Sequence, residues 1–167
     1  MKKIIIGIMV FMALLFVAGC TEEDSVKGSK TVGKDISESE IAEFIYTYSN
    51  INYNAFYQRY RFTNEDGKHM FFHETRERPG EYGPTTEEDV VNSGFFEISD
   101  DIWDEFLAII DGGTVKMRED SAESGDSGPW MYLYSTGKYA ELTEYSFESY
   151  EKQAEFEEFC CSMSENG

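Results

Sequence analysis

The sequence predicts an α+β domain, an antiparallel sheet of about five to six strands with two helices packed on one face. Three observations lead there. Segments rich in Phe, Tyr and Ile alternate with polar residues between Ile41 and Tyr145, the period of a half-buried strand. Turn residues close these segments after short intervals, so that neighbours in sequence pair with each other. Two stretches change to helical spacing, one before Gly112-Gly113 and one after Ser149.

Ile41 to Ser49 carries two patterns at once. Ile41, Phe44, Ile45 and Tyr48 fall at helical spacing, and Ser37 with Glu40 suits a capping box. Phe44, Tyr46 and Tyr48 also alternate, and Phe-Ile-Tyr-Thr-Tyr is strand composition, so the segment is assigned to a strand. Ala55 to Thr75 reads as a hairpin. Phe56, Tyr60 and Phe62 share one face, Arg59 and Arg61 the other, and Asn64-Glu65-Asp66-Gly67 turns the chain into His69–Thr75. Pro79-Gly80 and Gly83-Pro84 mark a loop. Val90 to Ile98 is a further strand, with a disturbance expected at Ser93-Gly94. Ser99-Asp100-Asp101 opens a helix whose stripe is Trp103, Phe106, Leu107 and Ile110. Trp130–Tyr134 and Lys138–Tyr145 form a second hairpin around Ser135-Thr136-Gly137. The closing helix puts Phe156, Phe159, Cys160 and Met163 on one face.

The first twenty residues are of another kind. Lys2 and Lys3 precede about fourteen mostly apolar residues, too short a run to span a bilayer comfortably, and Val17-Ala18-Gly19 leads directly to Cys20. This ending resembles the lipobox of bacterial lipoproteins, and the resemblance implies cleavage after residue 19 and lipid on the Cys20 sulfur. Residues 1–19 are then a signal peptide, 20–38 a flexible tether, and 39–167 a single globular domain. Eighteen flexible residues from Thr21 span about 25 Å r.m.s., enough to hold the domain just clear of the headgroups.

Removing the signal sharpens the charge. The 14 basic residues less Lys2 and Lys3 leave 12 against 33 acids, a formal net of −21. Such a surface repels phosphate backbones and anionic lipid, so no nucleic-acid partner is expected and membrane contact is left to the lipid. Thirteen Phe, eleven Tyr and two Trp are far more aromatic content than a disordered acidic chain carries, and this chain should fold. Cys160 and Cys161 are adjacent, which gives an exported chain no disulfide framework; free thiols are expected.

No constellation of catalytic residues stands out, and neither cofactor nor metal is expected. His69 and His73 lie four apart on a strand, hence about 13 Å apart and too far to share one ion; they read as two sheet-surface histidines. The loop Asp120-Ser121-Ala122-Glu123-Ser124-Gly125-Asp126 is oxygen-rich but fails the EF-hand pattern at Ala122, Ser124 and Met131. No Gly-x-Ser-x-Gly elbow, His-Glu-x-x-His or phosphate loop is present. The candidate ligand-binding residues are Trp130, Tyr132 and Tyr134, with Tyr139 nearby. They share one face of a strand and Met131 and Leu133 share the other, so inward-pointing Met131 and Leu133 would leave an aromatic strip outside.

Tyr46-Thr47-Tyr48-Ser49, the turn Glu65-Asp66-Gly67-Lys68, Trp130-x-Tyr132-x-Tyr134 with its Gly137-Lys138 turn, and the closing amphipathic helix together resemble small uncharacterised lipoproteins of clostridial-type Gram-positive bacteria. The likeness covers residues 40 to 163. It implies an α+β sheet domain on the outer face of a single membrane and carries no catalytic residues; Cys160-Cys161 departs from it. The expectation is a membrane-anchored, outward-facing lipoprotein that acts as a non-catalytic binding or accessory module, its partner a protein or a glycan. A small cell-wall- or glycan-acting hydrolase is the competing reading, and a structural, calcium-stabilised surface domain the third.

Overall fold

The computed structural model describes residues 28–65, 67–117, 128–136 and 143–166. In chain order the elements are β1 (Ser29–Thr31), β2 (Ile41–Asn50), β3 (Ala55–Glu65), β4 (Lys68–Arg78), β5 (Val90–Glu97), α1 (Asp100–Ile110), β6 (Thr114–Met117), β7 (Gly128–Ser135), β8 (Thr143–Ser146) and α2 (Tyr150–Asn166). Single turns of 3₁₀ helix at Glu38–Glu40 and Glu87–Asp89 precede β2 and β5.

The strands form one open antiparallel sheet in the order β1-β6-β8-β7-β2-β3-β4-β5. The α+β class stands, but eight strands among the described residues exceed the expected five to six. The two additions are β1 and β6, which pair with each other through Ser29–Thr31 and Thr114–Lys116. They are three and four residues long and largely polar, and Val115 is the buried apolar residue they supply. A period of two cannot be read over so short a span.

The same region corrects the expected tether over 20–38. From Ser29 the chain is part of the sheet, and Val32 and Ile36 are buried in the core. Val32 is fixed by backbone bonds in both directions to Gly112 and Gly113. Two apolar residues in ten give no periodicity, which is why the segment looks like a linker in sequence.

Ile41–Asn50 is a strand, and the helical signal ahead of it is also genuine. The Ser37 backbone N–H donates to Glu40 Oε2 at 2.9 Å, but the turn so capped ends at Glu40. Strand pairing on both sides of β2 wins from Ile41 onward. In β5 the irregularity falls between Thr75 and Arg76 of its partner, opposite Val90–Asn92, and not at Ser93-Gly94. Gly94 meets a different need: a Cβ there would run into the His73 ring.

Both helices cover one face. Phe44, Tyr46, Tyr60, Phe62, Phe71, Met131 and Leu133 point at them. Phe106 of α1 stacks on Phe62 at 4.1 Å between centroids, and Phe156 of α2 sits 5.3 Å from Phe44 and 5.4 Å from Tyr46. Ser99 caps α1 by accepting from the Ile102 amide, and Gly112 at φ +75° ends it. Trp103, Phe106, Leu107 and Ile110 are buried as their spacing predicts, and so are Phe156 and Cys160 of α2.

Candidate functional site

The alternation in β7 decides where the aromatic strip lies. Leu133 and Met131 are buried in the core under the helices, so Trp130, Tyr132 and Tyr134 point to the opposite, helix-free face of the sheet. Pairing with β2 sets Trp130 opposite Thr47, Tyr132 opposite Ile45 and Tyr134 opposite Glu43. The register continues across the sheet. Ile45 meets Arg61, Arg61 meets Phe72, and Phe72 meets Phe95; one step along, Thr47 meets Arg59 and Arg59 meets Glu74.

The three candidate residues are not equivalent. Trp130 and Tyr134 are half-buried, while Tyr132 is only 7% exposed even on this face. It is hemmed in by Ile45 on one side and Glu144 on the other. The accessible aromatic surface of the face therefore comes from Trp130, Tyr134, Tyr57, Phe72 and Phe95, the last 63% exposed.

The face also carries arginine. Arg59, Arg61 and Arg76 lie on it, three of the five arginines of a chain with a formal net charge of −19. Arg61 Nε is 2.5 Å from Glu43 Oε1, an ion pair without hydrogen-bond geometry at that nitrogen. Arg76 chelates one oxygen of Glu74, at 2.8 Å from Nε and 2.7 Å from Nη2, and its guanidinium stands 4.9 Å over the Tyr57 ring. Arg59 Nε is buried and has no hydrogen-bond partner among the described residues. Arg59 and Arg61 alternate with Tyr60 and Phe62, which places them opposite the core. Their neighbourhood with Trp130 rests on the pairing of β2 with both β3 and β7, which the sequence does not display.

A hollow of about 220 Å³ opens beside the strip, lined by Trp130, Tyr132, Glu144, Tyr145 and Ser146. A second, of about 120 Å³, lies between Lys30, Ile36, Val115 and Leu133. Among the described residues the first is lined by one carboxylate, Glu144, and the second by none. Among the described residues no three His, Cys, Asp or Glu side chains gather as a metal site.

The histidines are not surface groups as the sequence suggested. Both face the helices: His69 stacks on Trp103 at 4.3 Å with Nδ1 3.1 Å from Asp100, and His73 is 2% exposed between Phe71 and Phe96. Burial lowers the His73 pKa, and its Nδ1 has no hydrogen-bond partner among the described residues. Cys160 is buried and its thiol is pushed up by that burial, whereas Cys161 is exposed and hydrogen-bonds to the Tyr60 hydroxyl at 3.4 Å. Both are free. Cys20, Tyr139 and the oxygen-rich loop 120–126 lie outside the described residues.

Compared with known proteins, the chain matches no family model, no curated protein and no solved structure.

Proposed function

We propose that this chain is a membrane-anchored, outward-facing lipoprotein whose folded part is a non-catalytic binding module, and that the helix-free sheet face is its contact surface. The observation that carries the reading is the orientation of β7. With Leu133 and Met131 committed to the core, Trp130 and Tyr134 stand on a face that also presents Phe72, Phe95 and three arginines. Flat rings with polar handles and guanidinium groups form contact surface at low cost in side-chain entropy, and they are enriched where proteins bind. Arg61 and Arg76 are paired there with Glu43 and Glu74, which leaves Arg59 to meet a carboxylate of a ligand such as a peptide-substituted wall glycan.

Anchoring rests on Cys20 and its lipobox-like approach. No helix among the described residues is long and apolar enough to cross a membrane. A chain of this charge needs lipid to stay at an anionic surface, and two acyl chains suffice where one is marginal.

The test is co-sedimentation of the full-length lipoprotein, held in detergent, with purified Gram-positive peptidoglycan. The wild type should pellet with the wall, and a Trp130→Ala/Tyr134→Ala double variant should remain in solution. Equal pelleting of the two would overturn the assignment of the face. Release of new reducing ends by the wild type would instead establish the hydrolase reading.

A further inference from the structure

The other face of the sheet holds a second aromatic site, unrelated to the strip on β7. Where β2 and β3 extend beyond the core beside the start of α2, Tyr46, Tyr48, Phe56, Gln58, Tyr150, Gln153 and Glu157 enclose a cleft of about 420 Å³. That lies within the range of about 300–1,000 Å³ for small-ligand sites.

Its chemistry is one-sided. Tyr48 and Phe56 form two tilted walls, their ring centroids 6.2 Å apart at 55°. Tyr150 stands at the mouth, 79% exposed. Deeper in, Glu157 Oε1 accepts from the Tyr46 hydroxyl at 2.5 Å and from Gln153 Nε2 at 2.9 Å. Gln58 Nε2 donates to the Tyr60 hydroxyl. Each of these bonds uses one donor within the wall. What remains to meet a ligand is the second carboxylate oxygen of Glu157, two amide oxygens with one N–H each, the Tyr48 and Tyr150 hydroxyls and the faces of the rings. Among the described residues no Lys, Arg or His lines the cleft, and neighbouring Lys152 is held by Glu155 at 2.9 Å.

Acceptors and ring faces around one carboxylate suit a cation that carries N–H donors and an apolar body. Ring quadrupoles attract an ammonium within about 6 Å of the centroid, and a carboxylate bonds it with charge assistance. A neutral sugar would leave the Glu157 charge without a counter-ion, and an anion would be repelled by it. We infer that this cleft binds a protonated alkyl amine, the amine hydrogen-bonded to Glu157 and its alkyl chain between Tyr48, Phe56 and Tyr150.

The full chain in detergent, at 0.15 M salt to suppress non-specific attraction to the acidic surface, is titrated calorimetrically with butylammonium. Butyltrimethylammonium and N-acetylglucosamine serve as parallel probes. Butylammonium should bind at one site, more tightly than the quaternary probe, which cannot donate. Tyr150→Ala, at an exposed position that leaves the fold alone, should weaken binding about threefold, and Glu157→Gln about tenfold. Binding unchanged by both substitutions would overturn the assignment, as would no binding of butylammonium. Binding of N-acetylglucosamine but not of the amine would replace it with a saccharide site. None of these results bears on the face around Trp130, which lies across the sheet.

Discussion

The Tyr145 hydroxyl donates to the backbone carbonyl of Ile110 at 2.9 Å, so a β8 side chain closes the C-terminus of α1. The last carbonyls of a helix lack partners within it, and a buried one needs a donor from elsewhere. Gly113 makes the contact geometrically possible, because a Cβ there would collide with the Tyr145 ring. The hydroxyl is fully committed, and burial, followed by the neighbouring Asp111 and Glu148 carboxylates, raises its pKa beyond the ordinary tyrosine range.

Tyr145→Phe should therefore cost about 0.5–1.5 kcal/mol, the net contribution of one hydrogen bond, because the Ile110 carbonyl still accepts from the Gly113 amide at 3.3 Å and the ring packing is kept. Gly113→Ala should cost more, since it displaces the ring from Phe44 and Phe147 as well. Urea unfolding of the two variants against wild type measures both. A Tyr145→Phe variant as stable as wild type would show that the bond contributes nothing.

The buried His73 makes stability depend on pH in one direction. Burial lowers its pKa below the ordinary 6.5, so the unfolded chain binds the proton that the folded chain refuses. The contribution is intact above about pH 6.5 and is lost as pH falls below it, at no more than about 1.4 kcal/mol per pH unit for one proton. Unfolding free energies at pH 7.5 and 5.5 should differ more for wild type than for His73→Leu. Identical pH slopes would mean that His73 takes up its proton without unfolding.

Much of this architecture is legible in the sequence because it repeats. The alternation in β2, β3 and β7, the stripe Trp103-Phe106-Leu107-Ile110 and the turn at Gly67 each identify an element by themselves. What escapes is short or depends on a partner. β1 and β6 are too brief for a period, and Val32 and Ile36 are core residues in a segment that reads as a linker. Gly94 resembles a bulge residue, and only the His73 ring opposite explains it. In the candidate site, the outward orientation of Trp130 follows from its alternation with Leu133 and Met131. The arginines beside it depend on strand pairing, and the burial of Tyr132 on crowding by Ile45 and Glu144, neither of which is visible along the chain.

The adjacent cysteines should separate cleanly in reactivity. Cys161 is exposed, while Cys160 is buried with its thiol pushed up by burial and held protonated. Iodoacetamide on the native protein should modify Cys161 and spare Cys160 until denaturant is added, as read by peptide mass spectrometry. Modification of both at equal rates would contradict the packing of α2, through Phe156, against Tyr46 and Tyr60.

Cys20→Ala should abolish lipidation and either release the chain into the medium or leave it unprocessed with its signal attached. Fractionation with gel mobility tells these apart from the wild type. Membrane retention at mature size would show that the anchor lies elsewhere.

The central claim is that the helix-free face around Trp130 is the surface that meets a partner. Hydroxyl-radical footprinting of the full-length protein, alone and saturated with peptidoglycan, tests it residue by residue. The account predicts that oxidation of Trp130, Tyr134 and Phe95 falls severalfold on binding while that of Tyr150, exposed on α2 across the sheet, does not change. Unaltered oxidation of Trp130 and Tyr134 in a demonstrably bound sample would contradict it.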